Sequence, residues 1–400
     1  MIESFSVENF RSIKHKQTLS FLPTPKLKNP SDEYLLVKVN DNLSLLKLGL
    51  MYGYNASGKS NFLLALRFLQ AQAIKGGSGQ CVSFGLDPEW EHKPSTFELV
   101  FYIEKVRFEY YLELDGTKIY KEQLRHTPKK KIATIYTRTY DAQKKVSDLR
   151  LYAVTELTAQ DKLILTGNTL ENRSVLYAYQ KSNIHADVLA KVVNYFNDHL
   201  LPMIDPDTRV REWSKGLLHE NSELKPFIVS LMKKADVQIN DLRTNVIQNI
   251  SSNTSADIYF THPTSSGSFQ IPYDDESEGT LRYVGLSGVM HELIEHSHFL
   301  AIDEFESSLH PDLVTFYIQM FLMNSTSSQL LITTHAQYLM ELDFIRNDMI
   351  WFAEKNEEGA SEYYKAQDCK LHKNINVANF YRAGKLGAKP ILGSPLAEEI

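Results

Sequence analysis

Residues 53–60 read GYNASGKS, with an apolar run, SLLKLGLM (44–51), just ahead of them and a helix-like run, NFLLALRFL (61–69), behind. A glycine-rich turn between a strand and a helix wraps backbone N–H groups around an anion. Glycine tolerates the left-handed dihedrals and the close approach that this needs, and the helix adds the positive end of its dipole. Gly53, Tyr54, Asn55, Ala56, Ser57 and Gly58 supply the turn. Lys59 supplies a point charge for the β and γ phosphates, Ser60 a hydroxyl that ligates Mg²⁺, and Asn61 opens the helix. Every fixed position of the phosphate-loop pattern is met, and the flanks are the ones the pattern requires. The chain must therefore place this loop at the end of a buried strand, which points to an α/β fold built around a nucleotide.

Other runs complete such a site. HFLAIDE (298–304) sets Asp303 and Glu304 at the end of a short apolar strand, and LLITTH (330–335) sets His335 at the end of another. Runs of this kind are strands of a sheet covered on both faces, and a helix over 311–323 between them completes a βαβ unit. An Asp at such a strand end holds the Mg²⁺ shell, an adjacent Glu orients the attacking water, and a histidine there reaches the γ-phosphate. A small-molecule kinase is the weaker alternative, because it needs no glutamate beside the metal-holding Asp.

The remainder sorts by texture. The first 140 residues are dense in strand signals, with TFELVFYIE (96–104), VRFEYYLEL (106–114) and a tight turn at Asp115-Gly116 predicting a β-hairpin. From about 155 to 247 the pattern becomes helical, and Val188, Leu189, Val192, Val193, Phe196 and Leu200 line one helix face until Pro202 and Pro206. SSNTSAD (251–257) reads as a polar joint. The expected organisation is an N-terminal part of the head over 1–150, an inserted helical lobe over 151–250 and a C-terminal part of the head over 251–400.

Composition narrows the function classes. The 43 basic and 49 acidic residues leave a net charge of −6, so no global field draws the chain onto nucleic acid. A local cluster, RHTPKKK (125–131), keeps DNA contact open. Two cysteines provide neither a disulfide framework nor a metal quartet, the start carries no apolar leader, and no run is long enough for a membrane span. A cytoplasmic location follows as the expectation. HELIEH (291–296) lacks the HExxH spacing of a helical zinc site, since position 295 is glutamate.

The order Walker A, Asp-Glu Walker B and strand-end histidine resembles the ABC-type ATPases. NFRSI (9–13), Asn55 and DEFESSLHP (303–311) resemble the SMC/RecF/OLD-like branch, and YRAGKLGAKP (381–390) is similar to the ending of members found in phage-defence operons. The resemblance covers about 1–140 and 255–390. It implies an ABC-ATPase-like P-loop head with an antiparallel β subdomain, binding ATP and Mg²⁺ and hydrolysing ATP to ADP and phosphate. It also implies a signature segment, a serine and glycine at a helix start that bind the γ-phosphate held by another copy. LSGV (286–289) lies only 16 residues before Asp303, whereas Ser277-Glu278-Gly279-Thr280 leaves 26, room for a helix of about four to five turns and the strand. Ser277 and Gly279 are therefore the expected signature residues, and Arg11 reaches the nucleotide by the same analogy. The implied unit is a head-to-tail homodimer or larger assembly, switching a separate effector (a nuclease or toxin) in anti-phage defence. A RecF-like DNA-repair ATPase and a slow-turnover scaffold restraining a toxin are the alternatives.

Overall fold

The structure, a computed structural model, describes residues 1–24, 30–77, 80–129, 131–206, 208, 210, 223–235, 238–247, 255–369 and 376–390. Its contacts divide the chain into two compact units. The first comprises Met1–Met203, His298–Asp303 and Gln329–Ile400, and the second Ile204–Ser297 and Glu304–Ser328.

Among the described residues the first unit holds a two-stranded antiparallel hairpin, Leu36–Asn40 with Leu43–Leu46, and two larger sheets. One has five strands in the order Phe299–Ile302, Gln329–Thr333, Leu48–Tyr52, Ile350–Lys355, Ser361–Lys365. The first four run parallel and the last antiparallel. Leu48–Tyr52, Phe299–Ile302 and Gln329–Thr333 are buried at every position, which is why these runs carry no polar alternation. The other sheet is antiparallel, with seven strands in the order Val146–Leu151, Ala133–Asp141, Ile119–Thr127, Val106–Leu114, Ser95–Ile103, Ile2–Glu8, Gln17–Ser20. Here burial does alternate: in VRFEYYLEL, Phe108, Tyr110, Leu112 and Leu114 are buried between partly exposed neighbours.

The helix Lys59–Ile74 lies between the sheets, so its buried positions cover most of its circumference, leaving the stripe Ser60, Leu64, Arg67 and Ala71 partly or fully exposed. Phe62 meets Phe5 of the antiparallel sheet at 5.4 Å between ring centroids and Tyr363 of the five-stranded sheet at 5.0 Å. One turn and a half further on, Phe68 packs on Phe97 at 5.2 Å. The strand that feeds the phosphate loop and the helix that leaves it are thus both locked in core.

Helices Ala159–Asn168, Val175–Gln180 and Asp187–Asn194 also belong to the first unit, the last continuing as a wider π-helical turn over Tyr195–His199. Their docking centres on a carboxylate with no exposure, Glu122. It accepts from Tyr110 Oη at 3.1 Å, Tyr136 Oη at 2.8 Å and the Val175 N–H at 3.0 and 2.9 Å. Arg138 stands 3.8 Å away and donates to the carbonyls of Leu170 at 2.8 Å, Glu171 at 3.0 Å and Arg173. Burial pushes the Glu122 carboxyl up from its ordinary value, and Arg138 and the donors oppose that. The segment read as one helical lobe, 151–250, is therefore shared: residues to Met203 pack with the first unit and those from Ile204 with the second.

The second unit carries an antiparallel sheet of Asp241–Ile247, Ser255–Thr264 and Gly267–Pro272, with helices Leu224–Lys234, Glu278–Glu295 and Pro311–Asn324. Its core is built from Ile228, Met232, Leu242, Ile258, Phe260, Tyr273, Leu281 and Val284. The helical pattern expected up to 247 gives way at Asp241 to a strand. DLRTNVI is rich in β-branched residues and has a partner strand to pair with, and pairing overrides the local pattern. Most of the expected joint at 251–257 lies outside the described residues.

Candidate functional site

The phosphate loop closes the buried strand Leu48–Tyr52. Ala56 (φ 65) and Gly58 (φ 106) are both left-handed, two residues apart, which alternates the backbone so that successive N–H groups converge on one concave side. Space as well as dihedral requires the glycines. A Cβ at Gly58 would collide with the Ser361 and Ser12 hydroxyls, and one at Gly53 with the Ala353 carbonyl and the Ser57 hydroxyl. Inside this turn the fully buried Ser57 Oγ has no hydrogen-bond partner among the described residues. A concave ring of donors with an orphaned hydroxyl fits a phosphate chain.

Lys59, 6% exposed, folds back over the loop. Its Nζ donates to the Gly53 carbonyl at 2.9 Å and the Tyr54 carbonyl at 3.3 Å, and stands 3.2 Å from His335 Nε2. An ammonium only donates, so Nε2 is the acceptor in this arrangement. The structure thus brings Lys59 and His335 together although 276 residues separate them in sequence. Asp303, at the end of Phe299–Ile302, is 5% exposed, and one of its carboxylate oxygens accepts from the Thr333 hydroxyl at the end of the adjoining strand. Asp303 and Ser60 are the residues whose chemistry suits Mg²⁺: hard oxygen donors, one of them anionic. Asn55 and Ala56 are exposed, and Tyr54, Ser60 and Asn61 partly so.

Behind the loop lies a brace that sequence reasoning does not find. Ser361 Oγ donates to the Ser57 carbonyl at 2.7 Å and pairs with Ser12 Oγ at 2.7 Å, and Ser12 Oγ accepts from Asn61 Nδ2 at 2.7 Å. Tyr363 Oη donates to the Gly58 carbonyl at 2.6 Å, while Tyr54 Oη accepts from the Lys355 N–H at 3.0 Å. Of the brace residues outside the phosphate-loop motif, Ser12 has a neighbouring signal, since it lies in NFRSI. Its neighbour Arg11 is exposed and left-handed (φ 52), its N–H bonded to the Val82 carbonyl at 2.7 Å and its guanidinium 5.8 Å from the Phe10 ring centre.

Ser277 caps the helix Glu278–Glu295 in the second unit, its Oγ accepting from the Thr280 N–H at 3.1 Å. Gly279 lies in the first turn. LSGV is mid-helix, and Ser287 Oγ is turned back on the Tyr283 carbonyl at 2.8 Å. Glu304, which follows Asp303 in the chain, is exposed and left-handed (φ 47). In HELIEH, His291 is 8% exposed and packs against Phe227 at 5.1 Å, whereas His296 is exposed. In the basic cluster Arg125 pairs with Glu109 at 2.7 Å and His126 is buried, leaving Lys129 and Lys131 exposed.

A family model described as "AAA domain, putative AbiEii toxin, Type IV TA system" matches residues 50–148 and 177–341, well over half of the chain. The chain belongs to this AAA-domain family. The match begins inside the strand that feeds the phosphate loop and runs through Asp303, Glu304 and His335, so the AAA domain spans the expected Walker A, Walker B and histidine positions. Family and fold together bear out the reading of a P-loop ATPase head, an NTPase architecture. No curated protein matches the sequence. Solved structures similar to the chain include an SMC head bound to the C-terminal winged-helix domain of ScpA, with 13% identity, a TM-score of 0.47, and coverage of 91% of this chain and 97% of that one. The SMC head domain from Thermotoga maritima has 14% identity, a TM-score of 0.43 and coverage of 91% and 98%. A Pyrococcus furiosus SMC head with an extended coiled coil, bound to the C-terminal domain of ScpA, has 13% identity, a TM-score of 0.44 and coverage of 97% and 99%. At TM-scores this low they are resemblances of outline. Among the described residues no helix is long and apolar enough to cross a membrane.

Proposed function

We propose that the protein binds and hydrolyses ATP as an ABC-type ATPase, and that ATP joins two copies head to tail. The observation that carries this is the pre-shaped phosphate loop, with Lys59 folded over it, His335 at hydrogen-bond distance and Asp303 fixed by Thr333. The loop N–H groups from Tyr54 to Ser60 hold the β and γ phosphates, and Lys59 exchanges its loop carbonyls for phosphate oxygens. Ser60 and Asp303 hold Mg²⁺, which when bound neutralises charge on the phosphates. Glu304 accepts a proton from the attacking water, and His335, once Lys59 has turned to the phosphates and Nε2 carries the imidazole proton, donates to the γ-phosphate. Ser277 and Gly279 offer the start of their helix to the γ-phosphate held by the other copy. A terminal phosphate present before hydrolysis and absent after it gives two states of the assembly.

The family's description as a putative toxin of a type IV toxin–antitoxin system supports a working partner for this switch. Together with the YRAGKLGAKP ending, it favours a role in anti-phage defence through a separate effector.

The test is a pair of variants. Lys59→Ala abolishes ATP binding. Glu304→Gln retains binding, slows turnover by at least about a hundredfold and accumulates an ATP-dependent dimer in sedimentation. A Glu304→Gln protein that hydrolyses ATP at the unaltered rate, or that stays monomeric with ATP bound, refutes the assignment.

A further inference from the structure

The Glu304 turn is carried by one face of the signature helix. Gly279, Arg282 and Leu286 lie three and four residues apart on Glu278–Glu295 and so share a face. Each is tied to the segment after Asp303. A Cβ on Gly279 would stand 2.8 Å from the Ser308 carbonyl oxygen, so the helix and the turn meet backbone to backbone. Arg282, 9% exposed, donates from Nη2 to the Glu304 carbonyl at 3.4 Å, beside the Ser307 N–H that reaches the same oxygen at 3.0 Å. At Leu286 the carbonyl accepts from Tyr317 Oη at 3.0 Å, and the Tyr317 ring holds fully buried Phe305 at 5.1 Å.

Two features make Arg282 more than a packing residue. Glu304 is left-handed, a conformation that is unfavourable for a residue with a Cβ and persists only where its surroundings impose it. Buried Phe305 and the bonded Glu304 carbonyl are what impose it. Arg282 is also a costly residue to bury: desolvation pulls its guanidinium below the ordinary value, and Glu306, Glu304 and Asp205 hold it up. Among the described residues its Nε has no hydrogen-bond partner, and within the helix–turn contact the guanidinium bonds to the Glu304 carbonyl through Nη2.

We propose that Arg282 is a positioning residue for hydrolysis: it holds the left-handed turn that sets the direction of the Glu304 carboxylate, and ties that turn to the helix begun by Ser277. The inference rests on Glu304 as the water-activating carboxylate. Arg282 touches neither nucleotide nor water in this account. Its removal leaves ATP binding intact and misdirects the base.

The experiment is single-turnover and steady-state ATP hydrolysis by the full chain with Arg282→Lys, which keeps the charge facing Glu306 and Asp205 but loses the planar reach to the Glu304 carbonyl. The kcat falls about tenfold, the loss expected for a charge-assisted bond, while KM and the affinity for MgATP stay within about twofold. Combined with Glu304→Gln, the lysine brings no further fall, because the group it positions is gone. Arg282→Gln, which keeps a planar donor without charge, is read by the same numbers if the lysine variant does not fold. An Arg282→Lys enzyme with unaltered kcat overturns the proposal, as does a loss of equal factor in both backgrounds. Failure of the underlying reading shows separately, as unaltered turnover in Glu304→Gln alone.

Discussion

Removing the brace behind the phosphate loop should weaken ATP binding without touching a residue that contacts ATP. Tyr363→Phe deletes one hydroxyl and leaves the ring on Phe62. The Gly58 carbonyl keeps the Asn61 and Phe62 N–H groups at 3.0 and 3.3 Å, so it is not orphaned. The cost is therefore that of one net hydrogen bond, about 1 kcal/mol. Ser361→Ala is more severe, because the hydroxyl serves both the Ser57 carbonyl and Ser12, and about 1–2 kcal/mol is expected. The two side chains act on neighbouring peptide units, so the double variant need not equal the sum; about 2 kcal/mol in urea unfolding is the working figure. What matters is where that loss falls. If the brace keeps the loop in its nucleotide-ready shape, the competent fraction drops and the apparent Kd rises in proportion. Titration with a fluorescent ATP analogue should then show affinity up to about thirtyfold weaker in the double variant, and about fivefold weaker in Ser361→Ala alone if that change costs about 1 kcal/mol. A double variant that loses about 2 kcal/mol of stability yet binds ATP as tightly as the parent would refute the reasoning, since the brace would then support the fold and not the loop.

Other consequences follow from the buried charges. Glu122→Ala strands Arg138 and the Val175 N–H in the core and should cost about 3–5 kcal/mol in urea unfolding. Glu122→Gln, which keeps an acceptor for Val175, should cost about 1–3 kcal/mol. Lys47, 4% exposed, has its ammonium pushed down by burial to about 8 from an ordinary 10.5. Between those values the unfolded chain binds the proton that the folded chain has lost, so stability should rise with pH from 8 to 10.5. Lys47→Met should flatten that rise in unfolding midpoints measured across the same range.

Much of the head is legible in the chain because it depends on local chemistry. A turn that must present N–H groups needs glycine at fixed places, and Gly53 and Gly58 stand where only glycine fits. A strand covered on both faces has no polar alternation, so HFLAI and QLLIT declare their burial without a partner in view. Ser277 is recognisable as a cap because capping depends on the residues within one helical turn. The helical reading up to 247 fails for the complementary reason: Asp241–Ile247 is a strand because Ser255–Thr264 lies beside it, and pairing is a property of two segments.

The sequence by itself determined that a phosphate loop must end a buried strand, and that Asp303 and His335 must stand at the ends of strands of the same kind. Only the tertiary structure decided what meets what: Lys59 against His335, Thr333 against Asp303, and Ser361 and Tyr363 behind a loop some three hundred residues away in sequence. Backbone turns are fixed by the dihedrals of a few adjacent residues, so their rules can be read along the chain. Side-chain hydrogen bonds between strands depend on register and strand order, and those are settled only when the whole sheet has assembled.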